Sequence, residues 1–475
     1  MVKKFFVIPL IASGIVGIPL STHAGWVRTY GEGQGYSVQQ TTGGGYIVVG
    51  RGYPQTGFGD LWLIKTDPQG DILWSRTYGD TAELVTDAGC CVRQTIDGGY
   101  IIVGNRWTFG GYEEADGLWL IKTDYIGDTL WTHRYKGPYS PYAGVCGEQT
   151  TDGGYIITGA AAGDYENCTL LLLKTDSMGD ALWLRRYGDS QFYEGYFVQQ
   201  TTDGGYIVTG YKYSPSTRND LWLLKMDASG DTLWTQTFGG PYGDKGTCVQ
   251  QTSDGGYIVV GYTKVDPAII GRIWLLKTDD TGEILWERIY DVWTVYNYSY
   301  HIQQTNDGGY IITGTVRPTP FTLEQIILVK TDPQGNELWT RFYGEEVGED
   351  YGYCVQQTTD GGYIVTGHLK GRLCLIKTNA NGDTAAVTEE AVVDAAADWE
   401  VVSSIGPQII LRYADHPQGF HASVFNAAGQ KVGEMHSASP SGTITWGEGM
   451  SRGVYFIQEI KRGSGGRVSR VILLH

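Results

Sequence analysis

GYSVQQTTGGGYIVVG (Gly35–Gly50), a variable segment, and then DLWLIKTDPQGDILWSRTYG (Asp60–Gly79) make up the stretch whose reading decides the fold. Its runs of Val, Ile, Tyr, Trp and Thr are four to eight residues long and end at Gly, Asp or Pro, so they read as short strands and not helices. We label the four strands of one unit a, b, c and d. The unit recurs: the Gly-Gly-Tyr tyrosines stand at Tyr46, Tyr100, Tyr155, Tyr206, Tyr257, Tyr310 and Tyr363, a spacing of 51 to 55 residues. Self-similarity at that period signals stacked repeats.

Two turns per unit are nearly fixed. Between a and b stands Asp-Gly-Gly, led by Asp97, Asp152, Asp203, Asp254, Asp307 and Asp360, with Gly43 in the first unit. Asp-Gly is a preferred hairpin pair because the central residues take positive φ. Between c and d the chain writes Thr-Asp-x-x-Gly (Met-Asp-x-x-Gly in the fourth unit), and Asn379 replaces the Asp in the last copy. Asn keeps the hydrogen bond of an Asx turn, so this position reads as turn chemistry before calcium binding.

A second series is out of step with the first. Strand d carries Trp74, Trp131, Trp183, Trp234, Trp286 and Trp339, each four residues before Tyr78, Tyr135, Tyr187, Phe238, Tyr290 or Tyr343. After the last c strand no such Trp follows, whereas Trp26 and Tyr30 come before the first unit. The offset is that of a circular array whose two chain ends complete one unit together. The expected fold is all-β: a seven-bladed β-propeller over 25–384, closed by the N-terminal strand, and a small C-terminal β-sandwich over 399–475. A ring with protected edges is expected to be a monomer.

The Asp-x-x-Gly-x-x-x-Trp hairpin resembles the tryptophan-docking hairpins of quinoprotein-type propellers and, more loosely, the Asp-box of sialidase-like propellers. The whole unit resembles bacterial secreted β-propeller repeats with the consensus Gln-Thr-x-Asp-Gly-Gly-Tyr-Ile-x-x-Gly. That similarity implies fold and says little of activity, because such folds host many functions.

Residues 1–24 have the layout of a secretory signal: Lys3 and Lys4, an apolar stretch, and a Thr-His-Ala end. No other apolar run approaches membrane-spanning length. The formal charge is -17, and -19 without the two leader lysines, with no basic cluster, so nucleic acid and anionic membranes are poor partners. Residues 385–398 are Ala-rich and acidic and read as a linker. In 399–475 the Asn-Ala-Ala-Gly turn, the TITW strand, Gly453-Val454-Tyr455-Phe456 and the final RVILL resemble the sorting domain of type IX secretion cargo. That family commonly opens with Pro-Asn-Pro, where this chain has Gly406-Pro407-Gln408. The resemblance implies an address tag or surface anchor read by the secretion machinery, and a secreted or outer-surface location.

Seven cysteines leave at least one free thiol. Cys91, Cys146, Cys248 and Cys354 share one register, three residues before the Gln of Gln-Thr, where other units have Ser37, Phe197 and His301. A unit apart, they are expected beyond the Cα limit of about 7 Å for a disulfide, and read as buried fillers. A bridge from Cys90 and the state of Cys168 stay open.

The b-c and d-a loops vary in every unit, which marks the face adapted to a partner. They carry Tyr53, Phe58, Trp107, Phe109, Tyr112, Tyr142, Tyr193, Tyr213, Tyr242, Trp293 and Tyr296, rings that suit a glycan or a protein ligand. Asp87, Asp244 and Asp350 stand seven residues before the repeat Gln, at the start of strand a, and are expected to ring the mouth of the central channel. There they would bind a cation or an amine, or accept hydrogen bonds from the loops they close. Arg93 and Glu148 replace Gln at one position in consecutive units, which predicts a contact between them. No nucleophile motif, metal-ligand spacing or phosphate loop stands out, and neither a metal nor a cofactor is expected. The primary reading is a binding scaffold. A polysaccharide hydrolase using a pair among Asp87, Glu194, Asp244 and Asp350 is the alternative.

Overall fold

A computed structural model of the chain describes residues 25–53, 59–79, 85–108, 117–136, 142–162, 168–188, 192–214, 216, 218–264, 271–290, 296–317, 323–344, 349–384, 399–403, 405–406, 408–413, 419–426, 430–447, 449–451, 453–459 and 468–473. The expected leader and the linker lie outside them. Every regular element described is a strand. Residues 1–386 and 387–475 form separate compact units.

In the first, five sheets each take four consecutive strands in the order a-b-c-d. The second repeat is an example, with Val85–Gln94, Tyr100–Thr108, Gly117–Thr123 and Thr129–Tyr135. A sixth sheet runs Tyr351–Gln357, Tyr363–Leu369, Arg372–Thr378, Trp26–Gln40, Tyr46–Gly52, Asp60–Thr66, Ile72–Tyr78. The long strand Trp26–Gln40 serves two pairings. Its first half is antiparallel to Arg372–Thr378, with Trp26 opposite Lys377, and its second half is antiparallel to Tyr46–Gly52, with Gln40 opposite Tyr46. Repeated four-stranded antiparallel sheets without helices fit a β-propeller.

The out-of-step tryptophans explain how neighbouring units join. Trp74 meets Tyr100 of the next unit edge-to-face at 5.9 Å, and the same contact recurs from Trp131 to Tyr155, Trp234 to Tyr257 and Trp339 to Tyr363. Trp26 makes it with Tyr46 at 5.9 Å. Each indole also covers the c-d turn glycine of the next unit. A Cβ on Gly127, whose φ is 84°, would stand 2.7 Å from the Trp74 ring, so both backbone and space demand glycine. Four residues on, the phenol grips the same glycine: Tyr78 donates to the Gly127 carbonyl at 2.6 Å, and Tyr30 to that of Gly70 at 2.7 Å.

A second set of links runs along the a-b turns. The repeat Gln of one unit accepts from a turn amide of the unit before it, as Gln94 Oε1 does from Thr42, and Thr359 N–H donates to Gln40. The turn aspartates also do more than shape a hairpin. Asp97 accepts from Gly99 N–H and pairs at 2.7 Å with Lys122, a buried lysine of strand c. Lys65, in the unit where Gly43 replaces the aspartate, has its pKa lowered by burial. The c-d aspartates behave as Asx turns: Asp67 Oδ1 accepts from Gln69 and Asp71 amides, and Asn379 does the same for Asn381 and Asp383.

The second unit has one sheet of Trp399–Ser403, Ile409–Tyr413 and Gly442–Trp446 and another of Ile405–Gly406, Val468–Leu473, Gly453–Glu459, Phe420–Asn426 and Lys431–Ser437. Ile409, Leu411 and Tyr413 of the first pack with Phe420, Val424 and Ile457 of the second to form one core.

Trp26→Ala removes a half-buried indole and its edge contact. Urea unfolding is expected to show a loss of about 2 kcal/mol; an unchanged midpoint would mean the Trp26 contact contributes nothing.

Candidate functional site

Strand a bulges once in every unit. The register slips between Gly35 and Ser37, Gly89 and Cys91, Gly195 and Phe197, Gly246 and Cys248, Ser299 and His301, and Gly352 and Cys354, and Val145 is skipped likewise. A bulge leaves one residue unpaired and re-aims its side chain. The seven skipped residues, Tyr36, Cys90, Val145, Tyr196, Thr247, Tyr300 and Tyr353, all line one cavity of about 540 Å³. It lies at the end where the a strands begin, that of the variable loops.

One wall is a belt of tyrosines. Tyr262 meets Tyr298 at 4.6 Å, Tyr300 meets Tyr353 at 5.0 Å, and Tyr353 meets Tyr36 at 5.1 Å. Burial pushes the Tyr36, Tyr196 and Tyr353 hydroxyls above their ordinary value, so they stay protonated donors. Lys245 completes the wall: its Nζ lies 4.0 Å from the Tyr211 ring centre and donates to Tyr196 Oη at 3.3 Å. Burial lowers its pKa, opposed by the Glu194 carboxylate.

The floor is the ring of residues three before the repeat Gln. Phe197 and His301 meet edge-to-face at 5.6 Å, and Ser37, Cys91, Cys146 and Cys354 also line the cavity, while Cys248 of the same register does not. Burial, then the Arg93 charge, pushes His301 down to about 3 and keeps it neutral. Arg93 donates to Ser37 Oγ at 3.2 Å and to the Val92 carbonyl at 2.9 Å. Beneath lies a chamber of about 140 Å³ lined by Gln39, Arg93, Glu148, Gln199, Gln250, Gln303 and Gln356.

Several expectations need correction. Asp87, Asp244 and Asp350 are fully buried and do not line the cavity. Asp244 accepts from Gly240 and Lys264 amides at 2.7 and 3.1 Å, and Asp350 from Lys370 at 2.9 Å. Asp87 sits 3.8 Å from the buried Arg106. Their backbone amides reach Gly59, Asn219 and Glu324 of the preceding unit, so these residues tie loops together. Arg93 and Glu148 line one chamber and interact through their charges, without a direct ion pair within 4 Å. The Gln at this position accepts from the next unit's backbone, as Gln39 does from Gln94 N–H, and Glu148 keeps such an oxygen for Gln200 N–H. Arg93 has none to offer. Nor are cysteines of one register always far apart: Cys91 and Cys146 sulfurs are 3.9 Å from each other, because the a strands converge at the cavity. Among the described residues Cys90 and Cys168 are unbridged.

Of the loop aromatics, Tyr193 is buried against Trp222 at 5.3 Å and belongs to the core. Tyr53 is exposed under the Arg51 guanidinium, and Tyr213 and Tyr242 are half-buried. Trp107, Tyr142 and Tyr296 lie on strand ends; Phe58, Phe109, Tyr112 and Trp293 lie outside the described residues. Sequence reasoning missed the tyrosine belt. Its signal was the residue five before the repeat Gln, which is glycine in six units and Ser299 in one. A Cβ at Gly35 would come within 2.2 Å of Thr366, so the strand approaches its neighbour there and the next residue is expelled inward.

Glu148 has its carboxyl raised from 4.5 to about 7, chiefly by burial. A raised folded value stabilises below pH 4.5 and that contribution is lost as pH rises through about 7. Glu148→Gln keeps the acceptor oxygen and is expected to leave Tm unchanged at pH 4 and raise it by a few degrees at pH 8. Equal shifts at both pH values, in thermal melts, would contradict the buried-acid reading.

No protein-family model and no curated protein matches the chain. Solved structures resemble it at low identity. A protein of unknown function from Bacteroides caccae shares 12% identity at a TM-score of 0.40, covering 67% of this chain and 96% of that one. PorZ, a surface component of the type IX secretion system of Porphyromonas gingivalis, shares 10% at 0.44, covering 91% of this chain and 58% of its own. A PL25 polysaccharide lyase active on ulvan shares 9% at 0.48, covering 75% and 97%.

Proposed function

We propose that the chain is a secreted or surface-displayed binding protein, a seven-bladed ring closed by the strand at Trp26–Glu32, that holds a glycan segment in its central cavity. The observation that carries this reading is the tyrosine belt. Tyr262, Tyr298, Tyr300, Tyr353 and Tyr36 line one cavity of about 540 Å³, a volume suited to one or two sugar rings. Ring faces pack on the apolar side of a pyranose while phenol and Lys245 Nζ–H groups meet its hydroxyls. Glu194 is engaged with the Tyr196 and Tyr211 hydroxyls, and the three buried aspartates are turned to the loops, which favours binding over hydrolysis.

The variable loops would extend the contact at the cavity rim. The module over 399–475 serves as the sorting tag, on the strength of its strand motifs and its independent core. Export then frees Trp26 to seal the ring, with the paired strands at both chain ends supporting closure.

A glycan array with the full mature chain is expected to give saccharide hits that Tyr300→Ala and Tyr353→Ala weaken at least tenfold with the fold intact. Hits that both variants keep would move the site away from the cavity, and no saccharide hit would remove the glycan reading. Closure has its own test. Deleting 25–31 exposes the strand edge at Arg372–Thr378 and is expected to give aggregates; a folded monomer on a sizing column would overturn it.

A further inference from the structure

The junction between the second and third units departs from the others in two independent ways. At six junctions a Gln or Glu side-chain oxygen of one unit accepts from the repeat Gln backbone of the next: Gln39, Glu148, Gln199, Gln250, Gln303 and Gln356 serve Gln94, Gln200, Gln251, Gln304, Gln357 and Gln40. Between Arg93 and Gln149 that bond is missing, because a guanidinium carries no acceptor. At this same junction, and only here among the described residues, two thiols of adjacent a strands touch. Cys91 and Cys146 sulfurs are 3.9 Å apart, and Cys91 also reaches the Gly147 carbonyl at 3.4 Å.

We propose that Cys91 and Cys146 are a redox-active dithiol, oxidised by small disulfides that enter through the central cavity, and that the bond formed staples the second unit to the third. Both side chains are buried from the outer surface yet line the cavity, so a small reagent reaches them where a protein would not. A disulfide needs a sulfur separation of about 2 Å, so the two sulfurs must close by about 2 Å from the starting 3.9 Å. The neighbouring groups favour the chemistry. Cys91 and Cys146 share a hydrogen bond in which either sulfur can donate, and that contact with the Arg93 charge holds the Cys91 thiol below its ordinary value. Cys91 is then the attacking thiolate.

The exchange balances in two steps. The Cys91 thiolate attacks one sulfur of the small disulfide, whose S–S bond breaks and releases a thiolate that takes up a proton. The Cys146 thiol, on losing its proton, attacks the Cys91 sulfur of the mixed disulfide and expels the second small thiol. Two protein thiols are oxidised and one small disulfide is reduced to two thiols. The proposal is independent of which ligand the cavity holds.

The test uses the full mature chain, reduced, freed of reductant, and exposed to 2-hydroxyethyl disulfide. Remaining thiols are then alkylated and the unreduced digest is read by tandem mass spectrometry, in the parent and in Cys90→Ser. The expected product joins the Cys91 and Cys146 peptides, lighter by two hydrogens, with Cys248, Cys354 and Cys374 alkylated after unfolding. Cys146→Ser should instead trap the mixed disulfide on Cys91, a product that a merely structural thiol would not form. Oxidation should raise Tm by about 5 °C in the parent and leave Cys146→Ser unshifted. Cys91 and Cys146 both recovered as free thiols, a persistent mixed disulfide in the parent, or a link through Cys90 would each overturn the proposal.

Discussion

The grip of one unit's Trp and Tyr on the next unit's turn glycine is the interaction on which the rest depends. A four-stranded sheet has two apolar faces and cannot bury both alone. The indole of Trp74 and the phenol of Tyr78 reach across to Tyr100 and Gly127, so each sheet is completed by its successor. The geometry is demanding at one point. The glycine must take positive φ, present its carbonyl to the phenol and leave room for the indole, which explains why Asp-x-x-Gly and Trp-x-x-x-Tyr recur together while the loops between them drift.

The same convergence of units creates the cavity. Seven a strands packed side by side crowd at their glycines, and the crowding is relieved by a bulge that turns one residue per strand inward. What each unit places at that position is free to vary, since it pairs with nothing. Units one, four, six and seven place a tyrosine there; units two, three and five place Cys90, Val145 and Thr247. An asymmetric interior is thus built on a nearly symmetric frame, and the asymmetry is where the proposed binding and thiol chemistry would find room.

The floor shows how a substitution is tolerated when its atom type is kept. Glu148 stands in for Gln because either offers an oxygen to the next backbone amide, though burial then holds its proton to about pH 7. Arg93 cannot make that bond and turns to Ser37 and to its own strand. The two charges share the chamber and feel each other's field, but the hydrogen bonds of each go to a different neighbour.

Strand content, unit length, turn chemistry and the offset of Trp26 were legible in the sequence, because they rest on local propensity and on a repeat that compares itself seven times within one chain. The Asx role of Asp67 and Asn379 was legible for the same reason. The site was not. Whether Asp87 faces a channel or a loop, whether Tyr193 or Tyr353 meets a ligand, and whether Cys91 can touch Cys146 depend on a one-residue bulge and on how closely neighbouring strands approach. Those are properties of the packed assembly: a slip of one residue sends a side chain to the other face of a strand, and only the contacts of Gly35 with Thr366 and its counterparts decide where that slip occurs.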